Sequence, residues 1–179
     1  MAGRTTSLSM PEGSGAVSGT SPLTVGSKDS EGDLMSTPAN TTATIVPTFR
    51  YRDAAKAIDW LCDAFGFERQ FVMANDDGTI GHAQLTFGNG MIMVGSSTVE
   101  SEYGKLLKTP SELGGFNTQG PYVVVADADT HYARAKAAGA EIVLELVTQD
   151  YGGRDYTCRD LEGHVWTFGT YDPWATQGS

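Results

Sequence analysis

Apolar and polar positions alternate along the chain in two successive runs of the same order. From Thr42 to Tyr51 the segment TATIVPTFRY has the period of a strand, with Pro47, Phe49 and Tyr51 on one face and Val46, Thr48, Arg50 and Arg52 on the other. Asp53 is placed to cap a helix, because its carboxylate can accept the first free N–H groups. In that helix Ala54, Ala57, Ile58, Leu61 and Phe65 recur at three to four residues, and Gly66 ends it. Strands follow at Glu68–Ala74, Ile80–Phe87 and Met91–Gly95, separated by the turns Asn75-Asp76-Asp77-Gly78 and Gly88-Asn89-Gly90.

Residues 96–120 keep no period and read as a linker with one short helical turn. After them the first pattern returns. Pro121 to Asp127 repeats the spacing of Pro47 to Asp53, an Ala-rich helix runs from Ala128 to Ala138, and Gly139 stops it. Strands are expected at Ile142–Thr148, Arg154–Arg159 and Val165–Tyr171, with Asp160-Leu161-Glu162-Gly163 turning between the last two. Two βαβββ halves (42–95 and 121–171) are therefore predicted within one domain, 41–174, followed by a flexible tail, 175–179. Neither half can cover its own apolar sheet face, so the two should pair.

Residues 1–40 change the picture only at the margin. Twenty-two of them are Gly, Ser, Thr or Pro and none is aromatic. Burial of such a segment gains too little to offset the entropy of ordering it, so a disordered polar leader is expected. It lacks the apolar stretch of a secretory signal, and no run in the chain reaches the length of a bilayer span. The remainder carries 18 Asp and Glu against 10 Lys and Arg, so it accounts for −8 of the chain's −10. That sign disfavours nucleic acid and anionic membranes and favours a cationic ligand, although it also serves solubility. Cys62 and Cys158 have no CxxC spacing and are expected to stay reduced, which suits the cytoplasm.

Four segments together resemble a known family: PTFRYRDAAKAIDWLCDAFGFE, GHAQLTFGNGMIMVG, PYVVVADADTHYARAKAAGAEI and YGGRDYTCRDLEGHVWTF. In order and spacing they are similar to the vicinal oxygen chelate superfamily of glyoxalases, extradiol dioxygenases, fosfomycin-resistance enzymes and bleomycin-resistance proteins, in its PhnB-like or bleomycin-resistance-like branch. The resemblance implies an α+β fold in which paired βαβββ modules form a curled mixed sheet around a cleft, often in a homodimer. It also implies where the family's metal enzymes take their ligands, at the first and last strands of each half. Those positions here are Val46, Gly120, Met93 or Val94, and Thr167, none of them an ordinary ligand for a divalent metal. No metal and no cofactor is therefore expected.

The remaining polar residues suggest another kind of site. His82 shares a strand face with Gln84 and Thr86 and is the candidate general base or hydrogen-bond donor to a ligand, or else a structural or surface histidine. Arg50, beside Thr48, offers a planar donor fork to an anion or carbonyl, or else an internal salt bridge. Tyr122 and Tyr156 are expected to line the opposite side. His131 falls on a helix face and is expected to be solvated, His164 to bond backbone near the Gly163 turn, and Cys158 to be a small buried group. The loop 150–155 is either a lid or an ordinary hairpin. No Ser-His-Asp or Cys-His spacing and no phosphate-binding glycine loop is present.

The expectation is thus a metal-independent small-molecule binding protein that sequesters a drug or metabolite through Thr48, Arg50, His82, Gln84, Tyr122 and Tyr156. The alternatives are a glyoxalase-like lyase, isomerase or dioxygenase with a non-standard site, and a regulatory or scaffold protein using residues 1–40 as an arm.

Overall fold

The computed structural model describes residues 41–175; the leader and residues 176–179 lie outside the described residues. The first half comprises β1 (Thr48–Tyr51), α1 (Ala54–Phe65), β2 (Glu68–Ala74), β3 (Ile80–Phe87) and β4 (Gly90–Ser96). The second comprises β5 (Tyr122–Val124), α2 (Ala128–Ala137), β6 (Glu141–Thr148), β7 (Arg154–Arg159) and β8 (Val165–Gly169). Between them the linker makes two short 3₁₀ turns, Gly104–Leu106 and Pro110–Leu113, rather than one. Among the described residues no helix is long and apolar enough to cross a membrane.

Local chemistry sets the helix limits. Asp53 Oδ1 accepts the Lys56 amide at 3.1 Å, and Gly66 takes φ +84° at the end of α1. Asp127 does the same for α2 through the Thr130 amide at 3.0 Å. Each half then folds its strands into one four-stranded sheet, ordered β1-β4-β3-β2 in the first and β5-β8-β7-β6 in the second. The outer strand of each βαβ crossover, β1 or β5, runs parallel to β4 or β8, and all other pairs are antiparallel.

One expectation is corrected here. The eight strands do not make one curled sheet around a cleft; they form two separate, open sheets, neither curled nor closed. The reason lies in what the apolar faces meet. Phe49, Tyr51, Leu85 and Val94 of the first sheet, and Tyr156, Cys158, Trp166 and Phe168 of the second, belong to one shared core with α1. Phe49 stacks on Trp166 with ring centroids 4.7 Å apart, and Phe65 meets Phe168 at 4.6 Å. The halves therefore join through their helix-bearing sides, and the opposite face of each sheet stays open.

Polar contacts fix this arrangement at both ends of α1. The Glu162 carboxylate accepts the Arg52 and Asp53 amides, each at 2.8 Å, ahead of the helix N-terminus. At the other end Arg134 donates to the Asp63 and Cys62 carbonyls at 2.7 and 2.9 Å. An anion at the N-terminus and a cation at the C-terminus both complement the helix dipole, and both come from the second half. Between the halves, the buried Asp160 carboxylate accepts the Tyr51 hydroxyl at 2.6 Å and the Trp166 indole N–H at 3.0 Å on Oδ2. Its Oδ1 accepts the Glu162 and His164 amides, both at 3.0 Å. Burial and the adjacent Asp160 carboxylate push the Tyr51 phenol well above its ordinary range, so it stays a donor.

Tyr51→Phe should remove one charge-assisted bond and cost about 1.5–3 kcal/mol. For a body of this size that is a fall in Tm of roughly 3–12 °C. Asp160→Ala, which strands several donors at once, should cost more than Tyr51→Phe. Thermal unfolding followed by circular dichroism measures both, and equal stability of the three proteins would contradict the role given to Asp160.

Candidate functional site

The open face of the first sheet is built from rows that run across all four strands. Strand register places Thr48, Met93, Gln84 and Phe71 in one transverse row. His82 and Met73 pair beside it, and Thr86 and Met91 lie on the other side. Of the two positions considered for the last strand, Met93 is thus on the open face, whereas Val94 is buried against α1. His82 and Gln84 are brought together, their Nε2 atoms 3.2 Å apart. Arg50 lies flat across Gly95, where an added Cβ would sit 3.3 Å from its guanidinium, and donates to the Val99 carbonyl at 3.0 Å. It takes part in no ion pair among the described residues.

Thr48 and Arg50 also line a hollow of about 250 Å³ beneath the linker, with Lys108 and His164 at its sides. His164 is buried and donates its Nε2–H across the halves to the Arg50 carbonyl at 3.0 Å. It therefore holds β1 in place rather than facing a ligand.

The second sheet repeats the plan with different chemistry. Tyr122, Thr167, Thr157 and Leu144 form its transverse row, and Thr157 and Thr167 share a hydroxyl bond at 2.9 Å. Tyr122 lies over Gly169, where any Cβ would fall on its hydroxyl, and accepts the Tyr171 amide at 3.1 Å. Asp155, the counterpart of His82, is held by Gln149 at 2.8 Å and by the Tyr151 hydroxyl at 2.9 Å, which makes loop 150–155 a closed hairpin.

Tyr156 is elsewhere. It is fully buried on the helix side of the second sheet, so it does not line a surface with Thr48, Arg50, His82, Gln84 and Tyr122. Its hydroxyl donates to His131 Nδ1 at 2.7 Å, while His131 Nε2–H donates to the Phe65 carbonyl at 3.0 Å. His131 is thus not a solvated helix residue but part of the seam between halves, its ring tilted against Phe168 with centroids 4.2 Å apart. Burial lowers its pKa, opposed by the Phe65 carbonyl and reinforced by Arg134. Cys158 is likewise buried, and desolvation pushes its thiol up to about 12, which removes it as a nucleophile.

With this geometry in hand, comparison with known proteins is decisive for the family. The model of the Glyoxalase/Bleomycin resistance protein/Dioxygenase superfamily matches residues 42–168. The chain belongs to that superfamily. It is 32% identical over 139 residues to the uncharacterized protein Rv0887c of Mycobacterium tuberculosis, covering 78% of this chain and 79% of that one. Among solved structures it is similar to TioX from Micromonospora sp. ML1, with 36% identity, a TM-score of 0.57, and coverage of 71% of this chain and 97% of TioX. UcmS2 shares the fold at 16% identity and a TM-score of 0.56, covering 72% and 99%.

The superfamily's metal enzymes set a test that the residues here do not pass. The strands that would carry ligands, with the residues just ahead of β1 and β5, present Val46, Thr48, Met91 and Met93 in the first half and Gly120, Tyr122, Val165 and Thr167 in the second. These are apolar groups, thioethers and neutral hydroxyls, a donor set that does not suit Mg²⁺, Mn²⁺, Zn²⁺ or Fe²⁺. Among the described residues no group of three or more His, Cys, Asp or Glu could hold a metal ion.

Burial of His131 gives the fold a pH dependence whose sign follows from the direction of its pKa shift. Its folded pKa lies below the ordinary value near 6.5, so the neutral ring is favoured and its full contribution is present above that pH. Stability should fall as the pH drops below about 6.5, as the unfolded chain gains a proton that the folded one refuses. Tm measured from pH 8 to pH 5 should show this slope, and His131→Gln should flatten it. An unchanged slope in the variant would refute the assignment.

Proposed function

We propose that this protein captures a small organic molecule on its open sheet faces without the help of a bound metal. The observation that carries this reading is the transverse row Thr48, Met93, Gln84 and Phe71, in which hydrogen-bonding side chains alternate with a thioether and an aromatic ring. Such a row offers van der Waals area with a few directional polar groups, the usual composition of an organic-ligand site. His82 and Arg50 extend it with a ring nitrogen and a guanidinium fork.

One open sheet is only half a cleft. Phe71 and Met73 at the margin of the first sheet, and Leu144 and Val147 at that of the second, are each 47–62% exposed. Apolar surface of this kind is best covered by a second copy of the chain, so the capturing species is a homodimer whose sheets face one another. The family's binding and resistance proteins are the nearest functional analogy. Two unpaired cysteines, Cys62 and Cys158, fit a reducing, cytoplasmic setting.

Native mass spectrometry of gently purified protein, followed by denaturing analysis, tests the reading. The expected result is a dimer mass with an organic adduct that is released on denaturation and unaffected by chelator. Thr48→Ala and Gln84→Ala should each weaken retention about three- to tenfold, as loss of one hydrogen bond does. A stoichiometric divalent metal whose removal releases the adduct would overturn the proposal.

A further inference from the structure

Superposing the strand registers of the two halves pairs Thr48 with Tyr122, Tyr51 with Val125 and Ile92 with Trp166, because Thr48 faces Met93 as Tyr122 faces Thr167. The turn between the last two strands differs most. In the second half it is flanked by Asp160 and His164, joined by the Asp160 N–H to the His164 carbonyl at 3.0 Å. In the first half the flanking pair is Phe87 and Gly90, and the turn between them is one residue shorter.

That difference decides what lies on each flank of the seam. On one flank the second half's turn drives Asp160, Glu162 and His164 against Tyr51, Arg50 and the start of α1, and the seam keeps only the hollow of about 250 Å³ under the linker. On the other flank the positions equivalent to Tyr51, Asp160 and His164 are Val125, Phe87 and Gly90. Val125 is itself buried in the core, whereas Phe87 and Gly90 border a hollow of about 610 Å³ there. This lies within the usual range of small-molecule sites.

Phe67, Phe87 and Trp166 form its inner wall, with Phe67 5.6 Å from Phe87 and 5.7 Å from Trp166 between ring centroids. Tyr122 stands at one side. Trp174 stands over the mouth, 91% exposed, its amide tied to Asp172 Oδ1 at 2.9 Å. A tryptophan left this exposed beside an aromatic hollow has most of its stacking surface unused. Among the described residues lining the hollow there is no Lys, Arg or His, and Asp172 supplies the one charge. The hollow under the linker, by contrast, carries Arg50, Lys108 and His164.

We infer that this seam hollow is a second binding site, for a planar aromatic molecule bearing a positive charge, stacked beneath Trp174 with its cation toward Asp172. The aromatic walls favour a flat ligand by stacking and a cation by the ring quadrupole, and the chain's net charge of −10 favours the same sign at a distance. Met91 and Tyr122 border both this hollow and the open sheet faces, but neither Thr48 nor Gln84 lines it, and the site needs no dimer.

Thioflavin T, a planar cation, and 8-anilinonaphthalene-1-sulfonate, an aromatic anion, are the probes, titrated into the full chain with fluorescence readout. Thioflavin T should saturate one site per chain, Trp174→Ala should weaken it about tenfold, and Asp172→Asn about threefold. Trp174→Phe should retain most of the affinity. Thr48→Ala and Gln84→Ala should leave it unchanged, which separates this site from the open faces. The inference is overturned if no saturation occurs up to about 1 mM, if Trp174→Ala binds as the parent does, or if the anion binds the same site as tightly. It is also overturned if sedimentation shows that Trp174→Ala dissociates a dimer and that the cation binds only the monomer, since the hollow is then an interface between copies.

Discussion

The arrangement of the two halves depends on one buried carboxylate. Asp160 uses Oδ1 to shape its own turn, through the Glu162 and His164 amides, and Oδ2 to hold Tyr51 of the first half and Trp166 of the second. A carboxylate taken out of water is costly unless its lone pairs are used, and here four donors use them. Because the donors come from both halves, satisfaction of this one group requires the halves to meet in one register. The same turn then delivers Glu162 to the N-terminus of α1 and His164 to the Arg50 carbonyl.

That requirement has a consequence for function. If the helix-bearing sides must meet to satisfy Asp160, His131 and Arg134, the opposite sheet faces are left outward. Each open face inherits the residues that alternate away from the core, among them Thr48, Gln84 and His82 in the first half and Tyr122 and Thr167 in the second. Core packing thus chooses which side chains are available to a ligand without contacting the ligand itself.

Much of this was legible in the sequence, and the parts that were not share a cause. Period-two alternation placed Phe49 and Tyr51 opposite Thr48 and Arg50, and the capping aspartates marked both helices; the structure has these features. Alternation reports which face is apolar but not what that face will meet, so one curled sheet and two open sheets have the same pattern. Tyr156 shows the limit within a single strand. It alternates with Asp155 and Thr157, and a phenol is chemically at home in either a cleft or a core; only the contact with His131 decides. His131 was harder still, because α2 is Ala-rich and weakly amphipathic, so its buried face leaves little trace in the residue pattern. The seam hollow leaves no trace in the residue pattern for a further reason, since it lies where Gly90 stands in the place of His164, an equivalence set by strand register.

The inequality of the two flanks also follows from physical need. A duplicated βαβββ plan offers two equivalent seams, and filling both with a polar lock would bury two sets of charges, each needing full satisfaction. One complete lock at Asp160 already fixes the register of the halves. The other flank is then free of that duty, and small residues at Gly90 and Val125 cost only the packing that Tyr51 and His164 provide on the first. What remains there is aromatic surface from the shared core, reached from outside beneath Trp174. A hollow in a protein interior ordinarily lowers stability. Here its wall is the face of the same Phe67 and Trp166 cluster that joins the halves, so an occupant would gain its contacts from residues already ordered by folding, and little further entropy would be lost on binding.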